Sequence, residues 1–209
     1  MRSDTERNRR HLLRAAGELD WWSGAPVRMS DIAERAGVSA ATAYRHFSSV
    51  ADLFAAYRTE VGEQLRAYSR SLPDAGQRWL YLVCEEWVRL VLAHGVVMVH
   101  TRSDDGYLRR LRSGAGYLTA QAEALHEPIR SAARELDIAD PGDVGLFLWN
   151  ILFDPREVFD LRDTELLDGD QITGRLVGAF VGALHGWQQP PFAAARETRT
   201  TRQSRGGAT

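Results

Sequence analysis

The sequence predicts an all-α chain in two parts, a three-helix head carrying a helix-turn-helix and a larger helical body. Three observations carry that prediction. The stretch from Met29 to Phe47, MSDIAERAGVSAATAYRHF, reads as two short helices joined by a tight turn. From Gln77 onward, apolar residues recur at three- and four-residue spacing. No stretch alternates strictly between apolar and polar residues with turn signals on either side, as a half-buried strand would.

Taken in order, Ser3 and Glu6 have the spacing of a capping box, and Leu12, Leu13, Ala16 and Leu19 follow at helical period. This predicts a first helix that ends at Trp21 and Trp22, whose indoles are read as packing groups. Arg7, Arg10 and Arg14 share one face of it, a basic flank that either meets a DNA backbone or stays solvated. In the next helix Ile32, Ala33 and Ala36 form the apolar stripe, and Gly37 closes it in the left-handed conformation. Val38 turns inward as a plug, and Ser39 caps the following helix with its hydroxyl.

Ser49 and Asp52 make another capping pair, and Leu53, Phe54, Tyr57, Val61 and Leu65 mark a helix running to about Ser71. Some 20 residues give a rod of roughly 30 Å, long enough to link head to body. LPDAG at 72–76 is the clearest break, which sets expected domains of 1–72 and 73–189. In the body, helices are expected over 77–100, briefly between the glycines of SDDGYLRRLRSG, and from Tyr117 to Leu136 with a bend at Pro128. Two more run from Val144 to Phe153 and through REVFDL after Pro155; a last one spans Asp170 to Trp187. The segment 190–209 is polar, starts on prolines and has no period, and is read as a disordered tail.

Two small helices at a steep angle, the second with a slim outer face, suit insertion into a DNA major groove. A helical hairpin with ordinary core aromatics would share the spacing, so the residues themselves must decide. DIAERAGVSAATAYRHF, followed by a long helix from Val50, closely resembles the DNA-binding module of the TetR family of bacterial transcriptional regulators over about residues 5–60. By that resemblance, Ala40 and Ala41 stand where base edges are met, and Thr42, Tyr44 and His46 where phosphates are gripped. Arg45 suits either role; Arg28, Ser30 and the cap Ser39 complete the expected DNA-binding set.

Two departures from the family pattern stand out: Arg28 replaces the usual Thr or Ser cap, and Val50 replaces a phosphate-binding lysine. Alanines at both base-reading positions predict readout through thymine methyls, with DNA shape carrying much of the specificity.

The resemblance further implies a ligand cavity in the body and a twofold dimer. Polar or aromatic residues among apolar neighbours are candidates for the cavity wall: Tyr81, Trp87, His94, Met98, His100, Tyr117, Gln121, Trp149, Asn150 and Phe153. Any one of them is equally compatible with core packing. As a group they suggest an aromatic-lined, mostly apolar pocket for a small aromatic or amphipathic effector. Gly174, Gly178, Gly182 and Gly186 recur every fourth residue, and with Val181 they form a stripe suited to a close helix contact. That contact is either the dimer interface, as the resemblance implies, or packing within one subunit. A homodimer places two heads to read a palindrome with half-sites about 34 Å or a multiple apart.

The chain's charge agrees with this polarity. Net charge is −2 overall, but residues 1–72 hold 11 Arg and 9 acids (+2), residues 73–189 hold 11 Arg and 18 acids (−7), and residues 190–209 hold 4 Arg and 1 acid (+3). An acidic body is repelled by DNA while the head docks. All 26 basic residues are arginine, an absence of lysine that points to a GC-rich genome more than to a function. Cys84 is the only cysteine, so there is no internal disulfide or multi-cysteine zinc site; it is read as a small buried hydrophobe rather than a redox sensor.

No cofactor, metal site or enzyme is expected. HExxH, a nucleophile elbow and a phosphate-cradling glycine loop after a strand are all missing, and His94 and His100 are six apart, off the spacing of four that puts two ligands on one helix face. With no signal peptide and no apolar run of ~20 residues, the chain is expected in the cytoplasm, off the membrane. The expected function is a ligand-responsive regulator of a palindromic operator in double-stranded DNA, with repression as the family default. The alternative is a DNA-binding regulator that answers to no ligand or to a partner protein.

Overall fold

The computed structural model describes residues 2–18, 27–99 and 105–189, and every regular element among them is helical. Four helices make the head and its connection: α1 (Arg2–Gly17), α2 (Met29–Arg35), α3 (Ala40–His46) and α4 (Val50–Ser71). Leu12, Leu13, Ala15 and Ala16 of α1 pack with Met29, Ile32 and Ala33 of α2 and with Ala43 of α3, all buried. The first helix already includes Ser3, so that residue is not a cap; the expected end at Trp21 and Trp22 lies outside the described residues.

The turn between α2 and α3 forms as its residues dictate. Gly37 has φ +69° with open space around it, and its N–H donates to Glu34 O at 3.0 Å while Val38 N–H donates to Ala33 O at 3.0 Å. Those bonds occupy carbonyls that a helix end otherwise leaves free. At the start of α4, Ser49 Oγ accepts from the Asp52 amide at 3.1 Å, the cap the spacing called for.

The body comprises α5 (Gly76–His94), α6 (Tyr107–Arg112), α7 (Gly116–Glu135), α8 (Gly142–Leu152), α9 (Pro155–Asp163) and α10 (Gly169–Gln188). α7 lies along both α4 and α5, and α10 packs on α5, α8 and α9. α5 is shorter than expected. It ends at His94, where Gly95 takes φ +57°, and a single 3₁₀ turn covers Gly95–Met98. The glycine supplies the left-handed residue that stops the ladder before the β-branched run. Between α8 and α9, Asp154 caps the new helix through the Arg156 amide, 2.9 Å, with Pro155 at its first position.

Two devices lock α7 to its neighbours. At the α4 crossing, a Cβ on Gly62 would lie 3.1 Å from Ala120 Cβ and 3.2 Å from the Tyr117 carbonyl oxygen, so only a glycine allows this approach without displacement. About two turns further along α4, buried Ser69 donates to Ala124 O at 2.7 Å. The start of α5 has no cap of its own; Ser131 Oγ accepts from the Gly76 amide at 2.8 Å and the Glu135 carboxylate from the Gln77 amide at 2.9 Å. Side chains of α7 thus satisfy the free donors of a different helix.

Gly62→Leu is expected to destabilise the chain by about 1–3 kcal/mol, because overpacking a tight crossing forces backbone shifts. Gly37→Ala has space for its methyl but not the backbone preference, and is expected to cost about 1–2 kcal/mol. Urea unfolding followed by circular dichroism checks both.

Candidate nucleic-acid interface and body cavity

On α3 the buried and exposed faces separate cleanly. Ala43 is fully buried and Phe47, just past the helix, is 6% exposed, so these two fasten the helix to the head. Arg9 of α1 lies over the Phe47 ring at 5.0 Å. Ala40, Ala41, Tyr44 and Arg45 face outward, Tyr44 at 56% exposure, and Thr42 and His46 are half-buried beside them. A tyrosine more than half exposed on a seven-residue helix is poorly explained by packing within the subunit.

Ser39 organises the leading end. Its Oγ accepts from the Thr42 amide at 3.1 Å and donates to Thr42 Oγ1 at 2.9 Å, leaving the Ala40 and Ala41 surfaces unobstructed. At the head of α2, Arg28 is exposed and its amide donates to Asp31 Oδ2 at 3.2 Å. Ser30 is exposed too, with its hydroxyl donating to Asp31 Oδ1 at 3.1 Å. The Asp52 carboxylate accepts from the Ser48 hydroxyl, and hydrogen bonding from Ser48 first and Ser49 second holds it below the usual range.

A cleft of about 600 Å³ opens between α1 and α4, lined by Arg7, Arg10, His11, Arg14, Tyr57, Glu60 and His94 among others. Inside it the Tyr57 hydroxyl and His94 Nδ1 are hydrogen-bonded at 2.7 Å, which ties α4 to the end of α5. Burial, followed by the nearby Arg89 charge, lowers the His94 pKa. A Cβ at Gly17 would strike the Tyr57 hydroxyl, so α1 closes on the same point.

The body contains a separate cavity of about 150 Å³ where α4, α5, α6, α7, α8 and α9 converge. Of the expected wall residues it gathers Trp87, Met98, Gln121, Asn150 and Phe153. Trp149 is instead a core residue with no exposed surface; its ring stacks on Phe153 at 5.1 Å and its N–H points at Cys84 Sγ, 3.3 Å. That burial pushes the Cys84 thiol up to about 12, consistent with an inert hydrophobe. Tyr81 and Tyr117 are half-buried off the cavity, His94 lies in the α1–α4 cleft, and His100 lies outside the described residues.

Polar residues that the sequence reading did not single out complete the wall: Arg58, Tyr107, Arg110, Asp154 and Arg156. The signal was present in principle, since Arg58 is a charged residue within the otherwise apolar-striped α4. Asp154 and Arg156 form a two-bond pair at 2.7 and 2.9 Å. Burial raises the Asp154 carboxyl, but the Arg156 bonds outweigh it and the net shift is downward.

Gly174, Gly178 and Gly182 on α10 are exposed with nothing within 4 Å of a Cβ, and Val181 is half-buried beside them. Ile151 of α8 and Trp187 of α10 are 50% and 58% exposed on the same pair of packed helices. The stripe therefore does not serve contacts within the described chain. No helix among the described residues is long and apolar enough to cross a membrane.

Residues 12–57 match the model of a family described as bacterial regulatory proteins, tetR family. The fold is similar to that of a solved protein from Rhodococcus sp. ascribed to the TetR-family transcriptional regulators, with 20% identity and a TM-score of 0.55 over 86% of this chain and 99% of that one. A second, from Mesorhizobium loti MAFF303099 and ascribed to the same family, has 16% identity and a TM-score of 0.52, over 86% and 97%. No curated protein matches the chain.

Ser39→Ala is expected to cost about 1 kcal/mol in unfolding free energy through the lost cap. Because the His94 pKa is lowered in the fold, the unfolded chain binds more protons just below its ordinary value. Stability from this group is therefore present above about pH 6.5 and is lost as the pH falls below it. His94→Gln should flatten that part of a stability-against-pH curve relative to the parent.

Proposed function

We propose, from the premise that this chain is a DNA-binding transcriptional regulator whose amino-terminal domain belongs to the TetR family of bacterial regulatory proteins, that it works in the cytoplasm as a homodimeric repressor. It holds a palindromic operator and lets go when a small molecule occupies the body. The observation that carries the DNA half is the outward face of α3: small at Ala40 and Ala41, with Tyr44, Arg45 and His46 around them. A slim leading edge reaches base edges, and the longer polar side chains behind it meet phosphate oxygens. Residues 1–72 then read the DNA and 73–189 form most of the sensor, with α4 of the first span reaching the cavity at Arg58.

What supports the dimer is the exposed α8–α10 face. Ile151, Trp187, Val177 and Val181 are apolar, and the open glycines give a second helix room to approach closely. What supports the sensor is the body cavity, in contact with α4, the helix that also meets α1 of the head. Release requires that the effector bind the splayed form better than the DNA-competent one; a coupling of about 1–3 kcal/mol changes operator affinity about 5- to 150-fold.

The test is a mobility-shift titration against inverted-repeat duplexes from the DNA flanking the coding region, with and without candidate effectors. Saturable binding of one inverted repeat, weakened by a compound that also stabilises the protein, is the expected result. Binding that no stabilising compound alters would favour a regulator governed by a partner. Two variants refine it. Tyr44→Ala and His46→Ala should weaken all duplexes about equally and leave the preference among them unchanged, as phosphate contacts do. Val181→Arg should yield monomers by sedimentation and lose the inverted-repeat preference while retaining helical content.

A further inference from the structure

The body cavity is more charged than the mostly apolar pocket that its aromatic residues first suggest. At about 150 Å³ it matches the size of an engineered cavity that holds benzene. Its wall carries three guanidiniums, from Arg58, Arg110 and Arg156, against one carboxylate, Asp154, which Arg156 already occupies with two bonds. Arg58 and Arg110 have no ion pair among the described residues; both rest against the Tyr117 ring, at 4.3 and 5.4 Å. Arg58 Nε and the Tyr107 hydroxyl are shielded from solvent and have no hydrogen-bond partner.

Two buried donors without acceptors beside a cavity are an unusual expense in a folded chain, since each leaves a desolvated group uncompensated. Burial, reinforced by the Arg110 charge, pulls the Arg58 pKa down to about 10, so the guanidinium still carries its charge at neutral pH. The lacking element is an acceptor with negative charge. Planar guanidinium forks match a carboxylate in both geometry and charge.

We propose that this cavity binds a small organic carboxylate of about the size of benzoate, whose anionic end is neutralised by Arg58 and Arg110 and hydrogen-bonded by Tyr107, with its apolar end against Trp87 and Phe153. The inference rests on the reading of the body as an effector site and names the chemical class of the effector. Gln121 and Asn150, on other parts of the wall, accept or donate to any further polar group the ligand carries. Because Arg58 stands about two turns into α4, an anion that draws it inward acts directly on the helix that leads to the head.

The experiment is thermal unfolding and titration calorimetry on the full chain with benzoate, phenylacetate and butyrate, each against its neutral amide. At a hundredfold excess over Kd the carboxylates should raise Tm by about 5–10 °C and the amides should not. Arg58→Met removes a buried charge that Asp154 offsets only in part, so it should raise the Tm of the ligand-free protein and abolish the carboxylate shift; a merely structural arginine would lower the Tm instead. Should that variant not fold, Arg110→Gln is expected to weaken carboxylate binding about tenfold or more.

Equal binding of acids and amides, no shift from any acid, or a carboxylate shift that survives both substitutions overturns the proposal. Operator release is measured separately. Carboxylate binding that leaves DNA affinity unchanged upholds the anion site and removes its role as effector site. Release by the amides alone keeps the effector reading and overturns the anion.

Discussion

The rest of the molecule depends on one helix being shared by two packing units. α4 touches α1 in the head and then α5 and α7 in the body, with no flexible joint between. Its 22 residues make a rod of about 33 Å held by one continuous hydrogen-bond ladder. Each part is fastened separately: Ser49 caps the start, Tyr57 meets His94 and the Gly17 backbone, Gly62 admits α7, and Ser69 bonds to the Ala124 carbonyl. A rotation of this rod cannot be absorbed locally, so a change in the body arrives at the head as a change of direction.

The head was the most legible part of the sequence because its structure is fixed by local chemistry. A left-handed glycine, a serine hydroxyl and a run of small residues each demand one backbone arrangement within a few positions. Gly37, Ser39 and Ser49 accordingly sit in the turn and caps their neighbours called for. Helix ends in the body were less legible. The stretch 77–100 keeps an apolar period past His94, and nothing in that period marks Gly95 as the stop; the stop lies in a single backbone angle.

The cavity wall was half legible, for a related reason. Hydrophobic period finds the inward face of a helix, and Trp87, Met98 and Phe153, which it picks out, line one space. It cannot separate a wall residue from one a few ångströms deeper, which is why Trp149, on the same helix and stacked on Phe153, belongs to the core. Nor does it admit charge. Arg58 and Arg110 read as solvated positions in a linear sequence, and only the convergence of α4, α6 and α7 brings both against one tyrosine ring.

That tyrosine joins the two halves of the argument. The Tyr117 ring lies beneath Arg58, while its backbone carbonyl faces Gly62 at the tightest point of the α4–α7 crossing. Arg58 is next in sequence to Tyr57, whose hydroxyl meets His94 and the end of α1. Consecutive residues on a helix point about 100° apart, so one side of α4 looks into the cavity and an adjacent side towards the head. Close packing leaves little room for gradual adjustment at such a crossing. A ligand that repositions Arg58 must therefore either displace Tyr117, against the backbone contact at Gly62, or turn α4 and carry Tyr57 with it. Gly62 lies on α4 itself, so both routes strain that crossing; turning α4 also breaks the Tyr57–His94 hydrogen bond at the mouth of the open cleft, and in that way the motion reaches α1.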